Sequence, residues 1–366
     1  MAKRAHDAIS SDIPTDLEDM GFEEIAPDGD IIFLVGSEAI RVQVSSAIMK
    51  AASPVFRAMF GPNFKEGQAL ATSGGNPIEV SLPDEDPQSF AQICRIIHHQ
   101  RGLREELPAL EVLFRIYGIA DKCDLIPTIQ FCVEVWIDKH ASDTKRMVHA
   151  QAHNGFNGVS LPRTSGNMIR RERQLDSQKG YKLSVPWLFC LLFLCHAFGV
   201  HDHFETVSRR IIQEQVGLFS TLIPGMEAMT STSADIITLH KLAGALADKQ
   251  ADVLAGLHRC IYDSLPAWID REPIFKSGNR NSHPGIYLRE LRSYDTNGFL
   301  FTTAVSIHER LSCIRGFQAG LQPPSLGHLL SKELNRQIDD FERNIEGLCL
   351  RCFKLGLNTC TCKQDY

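Results

Sequence analysis

The sequence predicts an α/β (α+β) fold: a small domain with a three-stranded sheet and a helical cluster, followed by an all-helical C-terminal region. Three observations predict it. From Asp30 to Phe64 the apolar pattern changes period three times, from a continuous run to strict alternation and then to helical spacing. Between Asp86 and His140, apolar residues recur every three or four positions, the spacing of one buried helical face. Beyond Val185 the chain keeps helical spacing and shows no strand pattern.

Each element can be justified in order. Residues 1–27 read as an acidic, disordered arm. Eight acids up to Asp28 face only Lys3 and Arg4, a local balance of −6, and Thr15 with Glu18 offers a capping box for a short helix. "IIFLV" (Ile31 to Val35) is apolar throughout, as in a strand covered on both faces. In "IRVQV", Ile40, Val42 and Val44 alternate with Arg41 and Gln43, which gives one buried and one wet face. Ile48 and Ala52 then sit four apart, Ser53 before Pro54 is a helix N-cap, and Gly61-Pro62 stops that helix. "PIEVSLP" places Ile78, Val80 and Leu82 on one face of a third strand. Asp86-Pro87 caps a helix carrying Phe90, Ile93, Cys94 and Ile97; Leu110 to Tyr117 and Ile129 to Ile137 mark two more. His98-His99 closes the first of these three, where cations favour the helix dipole.

A hairpin followed at once by two short helices, then a strand and three helices, resembles the BTB/POZ domain. "DIIFLVG" resembles the family's opening strand, and "VQVSSAIMKAASPVFRAMF" its next segment; "AASPVFRAMFGPNFKEG" is similar to BTB proteins of filamentous fungi. The resemblance covers residues 28–140. It implies a protein–protein interaction module that self-associates as a homodimer. It also implies a role for Phe64, Lys65 and Glu66: in the family, a hydrophobic-x-Glu triplet at this place contacts a cullin scaffold. The competing reading is that Phe64 packs beneath its own loop. A corepressor pocket, the family's other device, needs an acid at the first strand and a base after the second. Asp30 supplies the acid, but Ser45 and Ser46 stand at the basic positions, so Asp30 is expected to bond backbone amides near the hairpin instead.

Totals narrow the function further. A chain of 366 residues holds two ordinary domains. Its net charge of −6 lacks the basic stripe of a nucleic-acid binder. The longest uncharged run, Leu183 to Val200, contains Pro186 and Gly199 and reads as a buried helix of about 14 residues, too short to span a bilayer. No apolar leader opens the chain, so the expected location is cytoplasmic or nuclear, with no membrane partner and reduced thiols for the 11 cysteines. Residues 141–182, rich in Ser, Asn, Gly and Arg, read as a flexible linker. A translated intron in the gene model is the alternative there, and Arg170-Arg171-Glu172-Arg173 is a weak nuclear-import patch.

Residues 183–346 form the helical region. Ile236, Leu239, Ala243, Leu246, Gln250, Val253, Leu257 and Cys260 keep a 3-4 spacing, and the weak members Ala243 and Gln250 favour a bundle helix over a coiled coil. His201-Asp202-His203 reads as a surface helix start. In the tail, residues 347–366, Cys349-x-x-Cys352 and Cys360-x-Cys362 put four thiols within 14 residues. One tetrahedral zinc is one reading, with His258, Cys260 or Cys313 as substitute ligands; free thiols are the other, and no further cofactor is expected. No phosphate loop, H-E-x-x-H or G-x-S-x-G pattern occurs, so no enzyme is expected. The resulting expectation is a self-associating substrate adaptor for a cullin-RING ubiquitin ligase, with an unknown client on the helical half. The alternative is a homodimerising scaffold or transcription-associated regulator with no ligase role.

Overall fold

The computed structural model describes residues 22–101, 107–151, 184–227, 230, 232–271, 283–294, 305–317, 324–357, 360 and 362. The arm up to residue 21, the segment 152–183 and its import patch lie outside the described residues. The chain divides into two compact units, residues 1–132 and 133–366. No helix among the described residues is long and apolar enough to cross a membrane.

The first unit is built on a mixed sheet of four strands: β1 (Phe22–Glu24), β2 (Ile31–Val35), β3 (Ile40–Val44) and β4 (Ile78–Leu82). Their order is β1-β3-β2-β4. The hairpin pairs β2 with β3 antiparallel, Phe33 opposite Val42, while β4 lies parallel to β2 and β1 parallel to β3. The expected sheet of three strands thus gains a fourth, β1, taken from the segment expected to be disordered. Side chains distant in sequence hold it there. Arg95 Nε donates to Glu23 Oε1 at 2.5 Å, Gln100 Nε2 donates to the Ile25 carbonyl at 2.6 Å, and Ile25 itself is buried.

The same unit holds α1 (Ser46–Ala52), α2 (Pro54–Met59), α3 (Lys65–Thr72), α4 (Pro87–Ile97) and α5 (Leu110–Lys122), and α6 (Ile126–Gln151) runs from it into the second unit. Ser53 caps α2 by accepting from the Phe56 amide at 3.1 Å, and its hydroxyl donates to the Cys123 carbonyl at 2.6 Å. Asp86 caps α4 by accepting from the Ser89 amide at 2.9 Å. Helix α3 was not expected; it follows the Gly61-Pro62 stop and carries Gly67, a weak helix former. Helix α6 runs on to Gln151, past the domain end expected at 140, and neither Gly nor Pro interrupts the chain between Pro127 and Gly155. The linker expected from 141 therefore begins as helix.

Phe33 on the central strand β2 organises the core of this unit. Its ring meets Phe90 of α4 edge-on at 5.0 Å, Phe56 of α2 at 5.8 Å and Phe60 at 6.2 Å. All four rings are buried, each contributing about 2 kcal/mol of burial free energy.

The second unit is helical: α7 (Val185–Ala197), α8 (His201–Glu214), a 3-10 turn at Phe219–Leu222, α9 (Pro224–Glu227) and α10 (Ser233–Arg259). A π turn (Cys260–Ser264) leads to α11 (Leu265–Arg271), α12 (His283–Tyr294), α13 (Ile307–Arg315), α14 (Pro324–Arg343) and α15 (Leu350–Lys354). Leu188 to Cys195 on α7 are buried all round, as their uniform hydrophobicity demands. Helix α8 packs on α7, and its Phe204, Val207 and Ile211 are buried. On α10, Leu239, Ala243, Leu246, Val253 and Leu257 are buried in the expected seam. Gln250 serves the seam by donating to the Ile212 and Gln215 carbonyls at 3.0 and 3.4 Å, which covers the C-terminal end of α8. His203, expected at the surface, is buried and pairs through Nε2 with Asp138 Oδ1 at 2.9 Å.

The N-terminus of α1 is capped by side chains from other elements. Asp30 accepts from the Ser46 amide at 2.7 Å and from its hydroxyl at 2.6 Å, while the Ser45 amide donates to His98 Nε2 at 3.1 Å. His98 is therefore a neutral acceptor here rather than the cation expected. Burial holds its pKa below 6.5. Burial alone would raise the Asp30 pKa, but the Ser46 hydroxyl and amide together hold it below 3.8. Both groups have depressed folded pKa values, so each stabilises above its unfolded value and loses that contribution as pH falls. Protection factors of the α1 amides, taken against their intrinsic exchange at each pH, should fall first as pH drops below 6.5, and again below 3.8. His98→Gln, which keeps an acceptor without a titration, should abolish the first step and leave the second.

Candidate functional site

The Phe64-Lys65-Glu66 triplet sits where α2 ends and α3 begins. The chain leaves α2 at Phe60, turns through Gly61-Pro62-Asn63, and re-enters helix with Phe64 as N-cap in an extended conformation. The Phe64 amide donates to the Gly61 carbonyl at 3.3 Å, and its carbonyl accepts from the Gln68 amide at 3.1 Å. Gln68 Nε2 also donates to the Pro62 carbonyl at 3.1 Å, closing the turn from the far side.

A steric contact sets this geometry. Gly67 lies directly against the turn, and a Cβ on it would stand 1.9 Å from the Gly61 carbonyl oxygen. Glycine alone permits the two backbones to approach so closely. The result is a fixed turn that presents Phe64 outward: its ring is 51% exposed rather than folded beneath the loop. Half an aromatic ring in water forgoes about 1 kcal/mol of burial free energy. Lys65 is almost fully exposed, while Glu66 is drawn partly inward with its carboxylate 3.7 Å from Lys65 Nζ. The triplet thus offers an apolar ring, a solvated cation and a sheltered acid in adjacent positions.

Asp30, the other residue weighed for a partner site, is consumed by capping α1. Its neighbours are Ser45 and Ser46, and its carboxylate oxygens accept from the Ser46 amide and hydroxyl.

In the second unit, the structure brings the four tail cysteines together. Cys349 is the N-cap of α15, Cys352 is buried within that helix, Cys360 is exposed and Cys362 half-buried. Cys362 Sγ lies 3.4 Å from Cys352 Sγ and 4.0 Å from Cys349 Sγ, and all four sulfurs lie within 4.8 Å of one another. These separations are well beyond a disulfide bond. The hydrogen-bonding Cys352 thiol, partial burial and Cys349 push the Cys362 thiol up to about 12. The quartet could hold a metal ion. His258, Cys260 and Cys313, weighed as substitute ligands, stand outside it; Cys260 Sγ instead faces Gln337 Oε1 at 3.9 Å.

With sheet order, capping and core in place, residues 27–127 match the model of the BTB/POZ domain. This part of the chain is a BTB/POZ domain. No curated protein and no solved structure matches the chain. A BTB/POZ domain is a protein–protein interaction module, and the fold described above is that domain joined to a helical region. Periodicity did not reveal α3, although it positions the triplet; the Gly67 that lets α3 close on the turn was the available signal.

The seat and the ring should separate cleanly on mutation. Gly67→Ala is expected to destabilise the BTB domain by about 1–3 kcal/mol, because the methyl must displace the Gly61 backbone. Phe64→Ala should change stability by no more than about 0.5 kcal/mol, since the ring is half in water. Denaturant unfolding followed by tryptophan-independent probes, such as far-ultraviolet dichroism, measures both.

Proposed function

We propose that the protein is an adaptor: its BTB domain docks on a cullin scaffold of a ubiquitin ligase and its helical region presents a protein client. The observation that carries this reading is the outward, half-exposed ring of Phe64 on a turn fixed by Gly67. A pre-set ring spares a partner the cost of ordering the loop, and a rigid aromatic anchor beside a charged rim is the usual anatomy of a binding hot spot. Glu66, held near the start of α3, would place its carboxylate at a defined distance from the ring. Self-association through the BTB domain belongs to the same reading.

The rival is a homodimerising scaffold, or a transcription-associated regulator, with no ligase role. It predicts the same oligomer but no dependence on the triplet. The four tail cysteines we read as the ligands of one zinc ion, on the chemistry of the donor set. A tetrahedral zinc with bonds of 2.3 Å needs sulfurs about 3.8 Å apart, close to the separations present.

Affinity capture of the full chain from its native cells decides between the two functional readings. Phe64→Ala and Glu66→Ala should each cut recovered cullin by about tenfold or more, the effect of losing a hot-spot residue. Size-exclusion with light scattering should still report a dimer. Unchanged cullin recovery, or no cullin with the unmodified chain, rejects the adaptor role and leaves the scaffold.

A further inference from the structure

The last helix of the second unit is too short to hold itself. A helix of five residues, α15, gains almost nothing from its own hydrogen bonds, because nucleation costs more than one turn returns. It is nevertheless seated firmly. The Leu348 amide donates to Ser208 Oγ on α8 at 2.7 Å. Gly347 presses on the α8 backbone so closely that a Cβ would stand 1.9 Å from the Glu205 carbonyl oxygen. Ile345, Leu350 and Cys352 are buried, and the Phe353 ring meets His196 of α7 at 5.5 Å and Phe204 of α8 at 5.8 Å.

Beyond Phe353 the chain changes character. Leu355 and Leu357 are exposed, and then Cys360 and Cys362 return to the two cysteines of α15. Apolar residues left in water do not bring a segment back on itself; among the described residues, the Leu357 amide bond to the Cys352 carbonyl at 2.9 Å and the sulfur quartet do so. Cys352 faces both ways, a buried member of the seat on α8 and a member of the quartet.

We infer that a zinc ion bound by Cys349, Cys352, Cys360 and Cys362 is a structural latch that holds α15 and the chain end against α7 and α8. The inference rests on the zinc reading above and adds what the ion does. All four ligands come from the protein, which closes the coordination shell as in structural rather than catalytic sites. Binding of such an ion is also folding free energy for the segment that supplies the ligands.

The test uses the full chain purified without chelator. Elemental analysis should find one zinc per chain, lost in the double variant Cys360→Ser, Cys362→Ser. These two positions lie at the exposed side of the quartet, so the remaining helices should keep their dichroism. Hydrogen exchange should then accelerate across residues 347–354 and at the facing turn of α8 around Ser208, with the BTB domain unchanged. No zinc in the unmodified chain, or iron in its place, overturns the zinc reading and the latch together. Stoichiometric zinc whose loss leaves exchange of residues 347–354 unaltered preserves the ion and overturns the latch.

Discussion

Phe33 is the contact on which the BTB domain depends. It sits on the central strand, paired on both sides, and its ring touches α2, the end of α2 and α4 together. Strand order fixes where Phe33 lies, and Phe33 fixes where α2 ends. The stop at Gly61-Pro62 is then forced to occur at a defined point above the sheet. Phe56 and Phe60, stacked at 6.0 Å with nearly parallel rings, carry that definition to the last residue of the helix. An error of one residue in the register of β2 would turn Phe33 to the other face and dissolve the aromatic cluster. The placement of the Gly61–Phe64 turn is thus inherited from the sheet and is not a local property of the turn.

Charge and hydrogen bonding act at the edges of this arrangement, in specifying roles. Arg41 with Glu79, Arg115 with Asp86 and Lys122 with Glu85 each keep an exposed basic partner, so each contributes only about tenths of a kcal/mol. Asp30 and His98 matter more because each satisfies an amide that α1 cannot satisfy internally. The same economy explains why Asp30, despite lying where the family can place a recognition acid, serves the fold: its two acceptor oxygens are already engaged by Ser46.

Much of this was legible in the chain itself, because the decisive signals were local. The period changes between Asp30 and Phe64, the Ser53-Pro54 and Asp86-Pro87 caps and the α10 seam each lie within one element, and all three appear where the spacing put them. What was missed depends on contacts far apart in sequence. Three residues, Phe22 to Glu24, carry no periodicity and sit among acids; they become a strand by pairing with β3, where Arg95 of α4 holds Glu23 and Gln100, beyond the end of α4, holds the adjoining Ile25. His203 was misjudged for the same reason, since its partner Asp138 lies 65 residues away. Helix α3 defeated the reading differently: Gly67 argues against a helix by propensity, yet tertiary contact demands it there. In the candidate sites, residue types and spacing named the triplet and the four cysteines, while exposure of Phe64 and convergence of the sulfurs required coordinates.

The two candidate sites share a construction, and it bears on how such a protein can be both firm and adaptable. Each hangs on one glycine whose missing Cβ lets backbone meet backbone: Gly67 against Gly61, and Gly347 against Glu205, both with 1.9 Å to spare only for a hydrogen. Such a seat is rigid without being large, since it relies on exclusion and not on buried area. A short segment can therefore be held in place while its side chains remain free for another task. At the turn, that freedom leaves Phe64 available to a partner; in the tail, it leaves the thiols of Cys349 and Cys352 available to close on Cys360 and Cys362. The glycine supplies position and the neighbouring side chains supply chemistry. A substitution at either glycine should thus cost more than the loss of any one contacting side chain at the same site.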